Sequence, residues 1–248
     1  IANGIIDKNV LGFYPYMCST YKDKALRRCV ALEKAKAQTE EEALADEDKK
    51  KVYQYYMNPS KVAMAGKIQP NGSYLKGIED FIPSSQYNCD KHHLKVVEDI
   101  KENWVTLSLN SKFHALLATE SIPEAIAYYR LLRKEMPTLK VTALFDPNID
   151  NTGGQTFKEE GLIEVLEGYK EQFGKTYTMS THAAFKQDVA LRLAHKKPYN
   201  GKDFTKDKQI DLLIVVNQML TGFDSKWINT LYVDKVMEYE NIIQAFSR

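Results

Sequence analysis

DLLIVVNQMLTGFDSKWINTLYVDK, residues 211–235, decides how the rest of the chain is read. Asp211 to Val216 is an apolar, β-branched run of the length of a buried strand. Thr230 to Asp234 (TLYVD) is a second strand. Between them lies the polar turn Leu220-Thr221-Gly222-Phe223-Asp224. Gly222 permits a positive φ or a close backbone approach, Thr221 offers a hydroxyl, and Asp224 offers a carboxylate suited to a ribose hydroxyl. Glycine and aspartate are also ordinary turn residues, so the turn alone says little. Its setting between two apolar runs says more.

Downstream, Tyr239 to Arg248 reads as a helix. Ile242, Ile243, Ala245 and Phe246 fall on one broad face at helical spacing. Gln244 and Arg248 are four apart and share the opposite face. Arginine presents a planar fork of donors that suits phosphate. A surface helix with ordinary polar residues is the plain alternative.

Upstream, the regular pattern begins near Lys112. Phe113 to Thr119 (FHALLAT) is a strand, and Ser121-Ile122-Pro123-Glu124 has capping-box spacing ahead of a helix to about Glu135. Lys140 to Phe145 is the next strand, and Glu159–Phe173 and His182–Lys196 are helices. Strands alternating with helices imply an α/β fold, a parallel sheet with helices on both faces. Ligands in such sheets gather beyond the C-terminal strand ends. Thr119 to Ser121 and Thr221 to Asp224 both fall there.

Residues 1–105 are less regular and read as an entry segment and a helix- and loop-rich insertion, leading into a lobe at 106–248. A strand is expected over Val10 to Tyr21, weakened by Pro15. Lys22 to about Met57 reads as helix, with Glu40 to Lys51 as a solvated face or loop. Asn58 to Asn88 is loop-rich, and a helix covers Lys91 to Asn103.

Composition is that of a globular chain, with 27% charged and 44% hydrophobic residues. A net charge of +1 gives no overall pull toward nucleic acid, although a local basic face remains possible. Cys18, Cys29 and Cys89 are few and irregularly spaced, which fits a reducing cytoplasm and no disulfide framework. Cys89 near His92 and His93 lacks a second ligand pair, so no metal site is expected. No run approaches a membrane span. Gly174-Lys175-Thr176 lacks the glycine a phosphate loop needs, having Tyr169 there, and follows a helix. Asp46-Glu47-Asp48 has no apolar strand before it and reads as surface. The five histidines suggest no triad.

Residues 211–235 followed by IIQAFSR (242–248) resemble motifs V and VI of superfamily 2 helicases. More narrowly, they resemble the R (motor and endonuclease) subunit of type I restriction enzymes, which implies that the parallel sheet is a RecA-like lobe. FHALLATESIPEAIAYYRLLRKE (113–135) resembles that family's motif IV region, and IANGIIDKNVLGF (1–13) the segment entering the second lobe. The resemblance implies that Asp224 and Gly222 meet nucleotide at the lobe interface and that Gln244 and Arg248 approach the ATP phosphates. It implies DNA-backbone contacts for Thr221, Thr119 and Ser121, with Ser121 equally a plain N-cap. ATP and Mg²⁺ would be held mainly by a first lobe, and a second motif VI arginine would fall beyond Arg248. The nuclease would lie in an N-terminal domain. The implied parent is cytoplasmic, binds modification and specificity subunits, translocates double-stranded DNA using ATP, and cleaves it.

The chain opens on Ile and stops in mid-helix, so a fragment is expected, one that alone neither hydrolyses ATP nor cuts DNA. The alternatives are the second lobe of another superfamily 2 helicase or remodeller, and a non-catalytic α/β interaction domain.

Overall fold

A computed structural model of the chain describes residues 14–83, 86–148, 153–201, 204–216 and 225–235. The backbone divides into two compact units, residues 17–92 and residues from 93 onward together with the first 16.

In the first unit, α1 (Asp23–Lys34), α2 (Glu40–Ala45) and α3 (Glu47–Met57) replace the single long helix expected there. The breaks have local causes. Lys36 takes a left-handed φ of 52° just after α1. Thr39 caps α2 by accepting from the Glu42 amide, and Asp46 caps α3 by accepting from Asp48 and Lys49. These side chains compete with the helical backbone for its own donors, so a charged run becomes two short helices. A small core gathers Ala31, Ala35, Ala43 and Tyr53. Arg27 is buried, and its guanidinium donates to the carbonyls of Tyr56 and Val62, which ties α1 to the following loop. That loop carries a two-residue hairpin, β1 (Lys67–Ile68) with β2 (Tyr74–Leu75). No strand forms over 14–21, contrary to expectation. Those residues are mostly exposed, and Pro15 removes a ladder donor.

The second unit begins on α4, which spans Asp90–Leu107. It continues with β3 (His114–Thr119), α5 (Ile122–Glu135), β4 (Val141–Leu144), α6 (Gln155–Phe173), α7 (His182–Leu193), β5 (Leu212–Val216) and β6 (Ile228–Asp234). The four strands form one parallel sheet in the order β4-β5-β3-β6. Every residue of β3, β4 and β5 is buried, so both faces of those strands are covered. The edge strand β6 is only half-buried. This is the α/β arrangement expected from the alternation of elements, and the RecA-like one that the resemblance implies.

Local chemistry sets the boundaries. Ser121 and Glu124 make the capping box that starts α5. Gly174, at φ 69°, ends α6 in the left-handed conformation and donates to the Lys170 carbonyl. Gly174-Lys175-Thr176 is therefore a helix stop, and Lys175 is spent on Asp188 at 2.6 Å. Asp46 likewise serves α3 as its N-cap. On the edge strand β4, Gln172 imitates a neighbouring strand: its side chain accepts from Val141 N and donates to Val141 O, both at 3.0 Å. That closes part of an open edge without another strand.

Candidate functional site

The C-terminal ends of three strands finish level with one another. Thr119 of β3 pairs with Val216 of β5 on one side and with Asp234 of β6 on the other. The chain therefore leaves β5 toward Thr221, Gly222 and Asp224 from a point beside Thr119. Those three residues, and Gln244 and Arg248 with the helix expected around them, lie outside the described residues. What is described is the rim from which they depart.

Thr119 and Ser121 come together at this rim, but their hydroxyls turn inward. Thr119 is fully buried, and its hydroxyl points at the carbonyls of Ser121 and Val215, each a long 3.4 Å. The Ser121 hydroxyl donates to Glu124 Oε2 at 3.1 Å and accepts from the Glu124 amide at 3.3 Å. The Ser121 amide also donates to Glu124 Oε2, at 3.0 Å. The box is closed, and both of its members are buried.

Carboxylates dominate the rim. Glu120 is exposed between Thr119 and Ser121. Burial raises the Glu124 pKa, the Ser121 hydrogen bonds oppose the rise, and the charges of Asp234 and Glu120 add to it. Asp234 accepts from the hydroxyl of the buried Tyr128 at 2.5 Å, and the Tyr128 ring lies 4.7 Å from that of His93. Burial lowers the Lys235 pKa, while the charge of Glu120 acts the other way. Sequence reasoning missed Tyr128, Asp234 and His93, because their meeting depends on strand order. The TLYVD strand end was the available signal for Asp234.

The histidines also hold a pair that spacing did not reveal. His114 Nε2 lies 2.8 Å from His195 Nε2, and His114 Nδ1 bonds the Ile210 carbonyl. That carbonyl can only accept, so Nδ1 carries the hydrogen and Nε2 is left to accept from His195. Burial pushes the His114 pKa down to about 4. The pair lies at the start of β3, away from the rim. Cys89, His92 and His93 gather no metal set; among the described residues no cluster of metal ligands occurs. His92 instead bonds Thr20, and Cys89 bonds Tyr21.

Comparison with known proteins adds the family. Residues 111–248 match the family described as type I restriction enzyme subunit R domain 3. The whole chain is 30% identical to a type I restriction enzyme endonuclease subunit of Staphylococcus aureus strain MRSA252, and 29% to that of strain COL. A Staphylococcus saprophyticus endonuclease subunit is 35% identical over 62% of the chain and covers 17% of its own length. The chain spans 22% of the length of either Staphylococcus aureus relative. The match takes in β3 through β6 and the segment that leaves the rim, and on it the chain belongs to the type I restriction enzyme R subunit family, with residues 111–248 as its domain 3.

Proposed function

We propose that this chain is the second motor lobe of a DNA-translocating, DNA-cleaving subunit, and that it contributes one wall of an ATP cleft and part of a DNA track. The observation that carries this reading is the level rim of Thr119, Val216 and Asp234, at the end of the strand that Thr221-Gly222-Phe223-Asp224 follows in sequence. Open parallel sheets bind ligands at that end. Asp224 and Gly222 are assigned to the nucleotide, Gln244 and Arg248 to its phosphates, and Thr221 to the DNA backbone.

Thr119 and Ser121 are assigned to the edge of the track. A phosphate reaching the Ser121 hydroxyl has to displace its bond to Glu124. The described rim carries Glu120, Glu124, Asp234 and Lys235, which is not a phosphate-binding set on its own. ATP and Mg²⁺ are assigned mainly to a first lobe, as the family resemblance implies. The relatives are named as endonuclease subunits of type I restriction enzymes. We extend that to modification and specificity subunits as partners, double-stranded DNA as substrate, and the cytoplasm as the site of action. Among the described residues no helix is long and apolar enough to cross a membrane.

The test uses the full-length subunit assembled with those partners. Asp224→Ala and Arg248→Ala are each made, and DNA-stimulated ATP turnover and translocation are measured. An arginine aimed at a transferring phosphoryl group is worth roughly 10³ to 10⁵ in rate. Arg248→Ala is expected to lose most of the turnover while the complex still assembles. Unchanged turnover in both variants sinks the assignment.

A further inference from the structure

At the opposite end of the sheet the strands begin beside a cleft of about 680 Å³. Asn110, Ser111 and Lys112 lead into β3, Gln209 into β5, and Lys226 and Trp227 into β6, and all of them line it. The segment after α7 supplies His195, Tyr199, Asn200 and Phe204. The volume lies within the usual range of small-ligand sites, about 300–1,000 Å³.

Its chemistry is one-sided. Lys112, Lys206 and Lys226 line it, and no carboxylate does among the described lining residues. None of the three makes an ion pair among the described residues; Lys206 donates to the Asn110 carbonyl at 2.8 Å, and its charge opposes the rise that burial gives the Asp211 carboxyl. Burial lowers the His195 pKa, and the charge of Lys226 lowers it further.

A flat aromatic wall stands beside these charges. The His195 ring lies on Trp227 at 4.3 Å between centroids and 14° between planes, and edge-on to Phe204 at 4.7 Å. The bond from His195 to His114, and from His114 to Ile210, holds that ring in one orientation. Asn110, Ser111 and His195 all take left-handed backbone conformations, with φ of 60°, 57° and 48°. Such residues persist where the surroundings over-determine them, and they concentrate at ligand clamps.

We propose that this cleft is a second nucleotide-binding site, in which Lys112, Lys206 and Lys226 hold a phosphate and the Trp227–His195 stack packs against the attached base. Lysines beside a planar aromatic wall suit a phosphate carried on a ring and give inorganic phosphate no use for the wall. A free nucleotide and a DNA strand share that chemistry, and the probes separate them.

The chain is titrated with AMP, with a single-stranded dT oligonucleotide and with inorganic phosphate, following tryptophan fluorescence and, separately, calorimetry. AMP or the oligonucleotide is expected to quench Trp227, and the quench is expected to vanish in Trp227→Phe. The double variant Lys112→Glu/Lys226→Glu is expected to weaken binding at least about tenfold with an unchanged circular dichroism spectrum. Trp227→Ala is expected to weaken it about 5- to 150-fold, the span of a lost base–aromatic stack. Oligonucleotide binding much tighter than AMP assigns the site to a strand; the reverse assigns it to a free nucleotide. The proposal is overturned if inorganic phosphate competes as well as AMP does. It is also overturned if neither probe binds at millimolar concentration, or if binding survives the lysine double variant.

Discussion

The carboxylate of Asp188 is buried among four donors. Tyr169 and Tyr199 give it their hydroxyls, at 2.6 and 2.5 Å, and Lys175 and Arg192 their charges, at 2.6 and 3.2 Å. Burial alone would raise its pKa; the hydrogen bonds from Lys175, Tyr169 and Tyr199, with the charge of Arg192, outweigh that and hold it below the usual range. Asp188→Asn puts an amide donor among donors and leaves the buried Arg192 without its counter-charge. A loss of about 3–5 kcal/mol in urea unfolding is expected, the usual cost of breaking a buried pair. His114 makes a second prediction at this scale. Its pKa falls from the ordinary 6.5 to about 4 in the fold, so the unfolded chain binds the extra proton between those values. Stability is therefore complete above pH 6.5 and declines as pH falls toward 4, by about 3 kcal/mol for this group. His114→Gln is expected to flatten the urea midpoint across that window. Neither Asp188 nor His114 was legible as special in the sequence. Arg192 lies one helical turn from Asp188, but the other partners come from 11 to 96 positions away, and local spacing does not signal those.

Among the elements, α5 and α6 approach closely because α6 carries Gly161 and Gly168 on the facing side. A Cβ on Gly161 would lie 2.2 Å from Ile126 Cδ1, and one on Gly168 would lie 1.9 Å from the Tyr129 hydroxyl. Arg130 and Glu164, and Arg133 and Glu171, bridge the same two helices at 2.6 and 2.8 Å. Those pairs are partly exposed and contribute little. The glycines set the spacing. Gly161→Val is expected to cost about 1–3 kcal/mol through overpacking, read as a lower urea midpoint with an unchanged slope. The helices and strands themselves were legible. The capping box placed the start of α5 to the residue, and the apolar runs placed β3, β4 and β5. The boundaries of α6 and α7 shifted by a few residues. The long helix expected over 22–57 was not legible as three, because its interruptions rest on single capping side chains and one left-handed lysine.

For the whole molecule, the chain is expected to be silent alone. Purified alone, it should give no DNA-stimulated ATP turnover above a buffer control; robust turnover would place a complete site within these residues and overturn the half-site proposal. The change of texture in the sequence was placed at residues 105 and 106, whereas the backbone divides at residues 92 and 93. By itself the sequence determined the fold class and the family. Both reside in order along the chain: hydrophobic runs of strand length, helical spacing, a capping box, and a motif whose residues lie within a few positions of one another. Tertiary structure alone decided which residues share a surface. It brought Thr119, Val216 and Asp234 to one level, turned the Thr119 and Ser121 hydroxyls inward, and set three lysines around the Trp227–His195 stack at the other end. Those outcomes depend on strand order and on which crossing helix buries which side chain. They are contacts over long separations, and local chemistry carries no record of them.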